Sequence, residues 1–88
     1  MRIVASPRFL KAKRKAVTRL QLRLDDAVRA IACDPAVGTE KRGDLSGVRV
    51  HKFKDGPRQY LIAYMFDEEQ LLLIAWGVQE NFYRDLKK

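Results

Sequence analysis

The sequence has few of the residues that build a disulfide framework or a structural metal site. It contains one cysteine, Cys33, and one histidine, His51. A single cysteine excludes an intramolecular disulfide and suits a reducing compartment, so we expect a cytoplasmic protein. We expect the Cys33 thiol itself to be buried or half-buried. One Cys and one His also fall short of the four ligands of a structural zinc site. We therefore expect neither a metal nor another cofactor.

Long hydrophobic runs are missing as well. The longest spans residues 71–76, whereas a membrane helix needs about 20 apolar residues. Residues 1–5 are too short for the apolar segment of a secretory signal and lead directly into charged sequence. We therefore expect no membrane span and no secretory leader.

Acidic residues are scarce. The 88 residues include 18 Lys plus Arg against 11 Asp plus Glu, which gives a net charge of +7. With 47% hydrophobic residues, the composition predicts one compact domain over residues 1–88. The charge favours a nucleic acid as partner, or else an acidic protein; charge that serves solubility alone is the remaining alternative. No acidic residue occurs in residues 1–23, which contain eight basic ones: Arg2, Arg8, Lys11, Lys13, Arg14, Lys15, Arg19 and Arg23.

The first third of the chain predicts a strand and two helices. Residues 2–5 are half apolar and read as a strand, and Ser6-Pro7 is typical of a helix start. Thr18 and Gln21 have the spacing of a capping box, which predicts a second helix that starts there and ends before Asp34-Pro35. One bent helix is the alternative to two helices joined at Val17-Thr18.

The remaining sequence predicts a three-stranded meander. After a loop at residues 34–47, residues 48–54 alternate, with Lys52 and Lys54 on one side and His51 on the other. Asp55-Gly56 is a hairpin turn signal before a strand at residues 58–66, and a turn at 67–69 precedes a strand at 71–76. Gly77 ends that strand, and residues 80–88 form a short helix or tail. The predicted fold class is α+β, with two N-terminal helices packed on one antiparallel-rich sheet in the order βααβββ.

A cluster of basic residues on this hairpin suggests phosphate chemistry. Cleaving an RNA phosphodiester without metal requires a base, an acid and fixed cations that stabilise the phosphorane. His51, whose side chain titrates near neutral pH, lies between Arg49 and Lys52, with Lys54 and Arg58 close by. The alternative is a solvated hairpin whose lysines protect a sheet edge.

Two other features have both a functional and a structural explanation. The aromatic residues of the meander can stack on bases, but cross-strand or core packing is the more common role of Phe53, Tyr60, Tyr64, Phe66 and Trp76. The basic first helix, including Lys11 and Lys15, can follow a phosphate backbone or form a solvated outer face.

Several of these segments together resemble the RelE/ParE toxin superfamily. The similarity covers nearly the whole chain, and its most specific part is the string ENFYRDL. The matching segments are residues 45–47, 50–54, 60–64, Gly77 and residues 80–86.

The resemblance implies the toxin of a prokaryotic toxin–antitoxin pair, with an antitoxin protein as partner. Members similar to RelE cleave mRNA in the ribosomal A site without metal, whereas members similar to ParE share the fold but poison DNA gyrase. The pattern of the RelE-like members assigns two catalytic lysines to Lys52 and Lys54 and a tyrosine to Tyr83. Its arginine falls on Leu61, so that Arg58 would have to reach in from the turn. A further cationic position falls on Gln79, which cannot transfer a proton.

The sequence therefore predicts a ribosome-dependent mRNA endoribonuclease. Its predicted catalytic residues are Lys52, Lys54, His51, Arg58 and Tyr83. Its predicted RNA-binding residues are Arg49, Lys11, Lys15 and Gln79. A toxin that inhibits gyrase or acts only through protein contacts is the first alternative, and a basic nucleic-acid-binding module is the second.

Overall fold

The computed structural model describes residues 1–86 and shows one five-stranded sheet with helices on both faces. The strand order is β1-β5-β4-β3-β2, in which β1 is parallel to β5 and the other neighbours are antiparallel. This architecture confirms the predicted α+β class. The elements are β1 (Arg2–Ala5), α1 (Pro7–Lys15), α2 (Thr18–Cys33), β2 (Thr39–Glu40), β3 (Arg49–Asp55), β4 (Arg58–Phe66), β5 (Gln70–Val78) and α3 (Gln79–Leu86).

The start of α1 follows the sequence signal. The Ser6 hydroxyl oxygen accepts a hydrogen bond from the backbone N–H of Phe9 at 3.1 Å, and Pro7 takes the first helical position. Ala16 and Val17 then have extended backbone, with ψ of 149° and 156°. Two separate helices are therefore present rather than one bent helix.

The predicted capping box of α2 is wrong. Thr18 is already the first helical residue, and the cap position is held by Val17, which makes no side-chain cap hydrogen bond. The Gln21 amide instead donates to the carbonyl oxygen of Lys13 at 2.8 Å. The joint between the helices is so short that this carbonyl, which also accepts from the backbone N–H of Ala16 at 3.1 Å, lies within reach of Gln21.

The segment after α2 contains a strand that the sequence did not indicate. Asp34 leaves helical geometry at φ −150° because a proline follows it. Residues predicted to be a plain loop then form the two-residue strand β2, in which Thr39 pairs with Val50 of β3. Cys33, at the end of α2, is exposed, contrary to the expected buried or half-buried thiol.

The hairpin between β3 and β4 has a two-residue turn, Gly56-Pro57, one residue later than predicted. Gly56 has φ +60°, which a glycine adopts without the steric cost of a Cβ. The next strand, β5, does not end at Gly77 but continues to Val78, and α3 follows at once. The helix predicted for the tail is confirmed up to Leu86; residues 87–88 lie outside the described part.

Each face of the sheet has its own apolar core. On the α1/α2 face, Phe9 of α1 and Leu24 and Ile31 of α2 pack against Ile62 and Tyr64. On the opposite face, which we call the α3 face, Phe82 of α3 packs against three buried strand residues, Val50, Leu61 and Ala63. Residues 61–64 of β4 thus alternate between the two cores, as a strand buried on both sides requires.

The aromatic residues of the meander mostly serve the core of the α1/α2 face. Tyr60 and Tyr64 are buried, and the Phe53 ring stacks on Tyr60 with 5.3 Å between centroids. Trp76 packs against the same core, and its indole N–H donates to the carbonyl of Phe9. Phe66, in contrast, is 40% exposed. None of the described helices is both long and apolar enough to cross a membrane.

Candidate functional site

The two lysines of β3 lie on the α3 face of the sheet. Side chains of a strand point alternately to its two faces, so Lys52 and Lys54 lie on the same face as Val50. Val50 belongs to the core under α3. Both lysines are exposed. Adjacent same-side residues of a strand are about 7 Å apart, so the two ammonium groups can reach one phosphate or two successive ones. The predicted common side of the two lysines is confirmed.

Tyr83 of α3 lies over the same face. It packs against the core that contains Val50 and Leu61, and the Phe82 ring meets it edge-on, with 5.5 Å between centroids and an interplanar angle of 81°. Its side chain is partly exposed. The fold thus brings Tyr83 and the lysine pair to one face. The phenol hydroxyl of Tyr83 can donate or accept a proton there.

A third lysine joins them from the segment after β2. The backbone N–H of Lys41 donates to the carbonyl of Val48 at 2.8 Å, which continues the pairing of β2 with β3. The Lys41 Nζ lies 5.1 Å from the centroid of the Tyr83 ring, within the range of a cation–π interaction. We call the surface formed by Lys41, Lys52, Lys54 and Tyr83 the lysine face.

Sequence reasoning missed Lys41. The residue lies eleven positions before Lys52, in a segment with neither an alternating pattern nor a family motif. Only the β2–β3 pairing puts it on this side of the sheet, and a strand of two residues leaves no periodic signal in the sequence.

His51 and Arg58 lie on the opposite side of the sheet from the lysine pair. In the β3–β4 register His51 is paired with Ile62, whose side chain is in the core under α1 and α2. Arg58 is paired with Asp55, whose carboxylate bonds to Arg19 of α2 at 3.0 Å. Residues that pair across strands share a face, so Arg58 lies on the side of Asp55, opposite to the two lysines. The predicted compact cluster of Lys52, Lys54 and Arg58 is therefore wrong.

Burial also reduces the charge that His51 can contribute. It lowers the pKa of the imidazole below its ordinary value of 6.5, since desolvation penalises the protonated form. The side chain is therefore neutral at pH 7. His51 thus differs from the lysine pair both in the side of the sheet on which it lies and in its charge.

Arg49 is engaged by the protein itself. Its guanidinium donates to the carbonyl of Gly38 at 2.8 Å and to that of Ala36 at 3.2 Å, and it stacks 5.7 Å from the centroid of the Phe66 ring. It also lies 4.0 Å from the carboxylate of Glu40. These contacts hold the segment between α2 and β2, so the geometry gives Arg49 a structural task on the α1/α2 face.

The remaining predicted residues lie away from the lysine face or at its border. Gln79 is the first residue of α3 and is exposed. In the sheet, Lys52 pairs with Leu61 of β4, and Leu61 pairs with Gly77 of β5. Gln79 lies two residues after Gly77 and therefore borders the lysine face. Lys11 and Lys15 are exposed on α1, the helix that covers the opposite side of the sheet.

Leu61 is 1% exposed and lies in the core beneath α3, so this residue adds no charge to the lysine face. Among the side chains that the structure describes, no group of three or more His, Cys, Asp or Glu is arranged to hold a metal ion.

Comparison with known proteins identifies a family and a shared fold. A family model described as a ParE-like toxin of type II bacterial toxin–antitoxin systems matches residues 3–87. No curated protein matches the chain.

The solved structures that resemble the chain do so at low sequence identity. A chain of the intact E. coli RelBE toxin–antitoxin complex is 18% identical, with a TM-score of 0.70 and coverage of 86% of this chain and 93% of that one. A mutant of E. coli RelE in the free state is 16% identical, with a TM-score of 0.73 and coverage of 97% and 87%. The YoeB/ParE toxin from Agrobacterium tumefaciens is 14% identical, with a TM-score of 0.69 and coverage of 90% and 99%. At these identities the similarity shows a common fold.

Proposed function

The chain belongs to the ParE-like toxin family of type II bacterial toxin–antitoxin systems, and from this premise we propose that it inhibits translation by cleaving mRNA on the ribosome without a metal ion. The observation that carries the proposal is the exposure of Lys52 and Lys54 on one face of the sheet together with Tyr83. This is the set of residues that a phosphodiester cleavage by positioned cations requires.

The chemistry is an internal transfer at phosphorus. The 2′-oxygen of a ribose loses its proton to a base and attacks the adjacent phosphorus, the bond from phosphorus to the 5′-oxygen breaks, and that oxygen receives a proton. The products are a 2′,3′-cyclic phosphate and a 5′-hydroxyl. Negative charge accumulates on the phosphorane oxygens, so fixed ammonium groups stabilise the transition state more than the substrate.

One of Lys52 and Lys54 supplies this charge stabilisation as an ammonium group, and the other, as a neutral amine, accepts the 2′-hydroxyl proton. Tyr83 gives its phenolic proton to the leaving 5′-oxygen. The ring of Tyr83 is held by Phe82 and by the core beneath it, which limits the positions of the hydroxyl. His51 and Arg58 have no part in this mechanism because they lie on the other side of the sheet.

The proposed partner is a cognate antitoxin. The E. coli RelBE structure is that of a toxin–antitoxin complex. In this chain a cleft between α1, the end of β5 and α3 is lined by Ala12, Trp76 and Phe82 with Arg8 and Asn81. Large apolar side chains elsewhere are also exposed, among them Leu22 at 59% and Met65 at 40%. An acidic segment that covers such surface neutralises part of the net charge of +7.

A second candidate is a toxin that acts by protein contact, for example on gyrase. Two observations favour it: the buried Leu61 and the uncharged Gln79 stand where the RelE-like pattern has cations. Such a toxin keeps the fold and the antitoxin but does not cut RNA.

Two assays on the purified protein separate the candidates. The first is cell-free translation, with the 5′ ends of ribosome-bound mRNA mapped by primer extension. The second is supercoiling by DNA gyrase. We expect translation arrest with new mRNA ends inside the ribosomal A site and unchanged supercoiling. Intact mRNA together with inhibited supercoiling would transfer the proposal to the second candidate.

A further inference from the structure

We propose that Lys41 is a third substrate-binding cation of the lysine face and that the Tyr83 ring holds its ammonium group against an RNA phosphate. The proposal rests on the proposed RNA-cleaving function and extends it by a residue that neither the sequence motifs nor the family resemblance assigns.

Lys41 lies on the same side of the sheet as Lys52 and Lys54. Thr39 pairs with Val50, and the N–H of Lys41 donates to the carbonyl of Val48, so the register puts Lys41 opposite Val48. Residues that pair across strands share a face. Val48 packs against the core under α3, and residues 50, 52 and 54 follow at two-residue steps on the same side.

The ring of Tyr83 limits where the Lys41 ammonium group can lie. A lysine side chain has four rotatable bonds, and holding it in one place costs up to about 2 kcal/mol of conformational entropy. The Tyr83 ring, 5.1 Å from Nζ, restricts the ammonium by attraction to its negative face. Lys41 is also partly buried, unlike Lys52 and Lys54, so its position is defined before a ligand arrives.

The Lys41 ammonium group has donor hydrogens that the Tyr83 ring does not engage. A lysine has three donor hydrogens, and a ring face occupies one side of the group. The hydrogens on the other side point away from the ring and can be donated to an anion. The anion that fits the whole face is a chain of phosphates rather than a single carboxylate, because the cations are spread along several residues of β3 and across to β2.

The experiment measures binding of a 2′-O-methylated single-stranded RNA 12-mer, which the proposed reaction cannot cleave, as a function of salt. Each lost phosphate contact lowers the slope of log K against log salt by about 0.7 for single strands. We expect Lys41→Ala to lower the slope by about this amount and to weaken binding about fivefold. Lys41→Arg, which retains the charge and the stacking, is expected to restore both.

The matched control is Arg42→Ala. It removes one positive charge from the neighbouring exposed residue, whose extended backbone turns its side chain to the other side of the chain from Lys41. We expect its slope to stay close to that of the unaltered protein. Tyr83→Leu, which removes the ring but keeps apolar packing, is expected to weaken binding with the slope unchanged, since the cation remains but is less ordered.

Failure of this inference is distinguishable from failure of the proposed function. If the protein binds the RNA and Lys41→Ala changes neither slope nor affinity, Lys41 is not a phosphate contact, whatever the cleavage assay shows. If the unaltered protein does not bind the RNA, the inference is overturned too. If Lys41→Ala lowers the slope while mRNA on ribosomes stays intact, Lys41 is confirmed as an RNA contact and only the cleavage proposal fails.

Discussion

The hydroxyl of Tyr64 joins two parts of the chain that are 26 residues apart: it accepts a hydrogen bond from the N–H of Gly38 at 2.9 Å and donates to the carbonyl of Pro35 at 2.6 Å. Tyr64 is fully buried in β4, and Gly38 lies directly before β2. This contact fixes where β2 begins, and therefore the position of Lys41 on the lysine face.

Replacing Gly38 by alanine tests the closeness of this contact. The added Cβ would lie 2.6 Å from the Tyr64 hydroxyl oxygen and 3.0 Å from the backbone oxygen of Val50. Since the backbone at Gly38 has φ −72°, alanine meets no conformational penalty there, and the cost is steric. We expect a loss of about 1–3 kcal/mol in the free energy of unfolding, measured with urea. Thr39→Ala, at the exposed next residue, is the control and should change it by about 0.5 kcal/mol or less.

Tyr64→Phe removes the hydroxyl and leaves both loop groups without it. Because the N–H of Gly38 is buried, the expected cost is about 1–3 kcal/mol in urea unfolding. Burial raises the pKa of Tyr64 above its ordinary value of 10.0, so the folded state favours the neutral phenol. This contribution is present below pH 10 and is lost as the pH rises further, because the unfolded chain ionises first. Stability that falls equally in Tyr64→Phe above pH 10 would show that the phenol of Tyr64 is not its source.

His51 gives a prediction about pH of the opposite sign. Burial lowers its pKa, so its contribution to folding is present above pH 6.5 and is lost as the pH falls through the lowered value in the folded state. We expect the unaltered protein to lose stability relative to His51→Gln between pH 7.5 and pH 5. A relative gain over this range would mean that the imidazole has a charged partner that raises its pKa.

The same variant also tests the geometry of the site. With His51 on the face under α1 and α2, His51→Gln should cleave mRNA within about twofold of the unaltered rate, because it removes no group that touches the substrate. A loss of about 100-fold, typical of a missing general base, would return His51 to the mechanism.

The sequence allowed the local elements to be predicted, and the reasons are local. Ser6 caps α1 through a hydrogen bond to a residue three positions away, and Asp34 ends α2 because proline follows it. The common side of Lys52 and Lys54 follows from strand alternation alone.

What the sequence did not allow to be predicted depends on register and on distant contacts. The two-residue turn pairs Arg58 with Asp55; a turn of one more residue would have paired Arg58 with Lys54 on the other side. The strand β2 has no sequence pattern of its own. It forms because Tyr64 and Arg49 hydrogen-bond to Gly38, the residue before it, and because it pairs with β3. The place of Lys41 therefore required the folded structure.

The measurement that tests the account most directly is mRNA cleavage on ribosomes by the double variant Lys52→Ala, Lys54→Ala. The matched control is the double variant Arg14→Ala, Arg29→Ala. It removes two exposed positive charges, one from α1 and one from α2, and so has the same net charge as the lysine variant. We expect the lysine variant to lose about 100-fold or more in cleavage rate, since charge stabilisation of the phosphorane is lost. Thermal unfolding should change little, because exposed lysines contribute about 0.5 kcal/mol or less. The control should cleave at nearly the unaltered rate. A folded double lysine variant that still cuts A-site mRNA at the unaltered rate would contradict the assignment of catalysis to the lysine face.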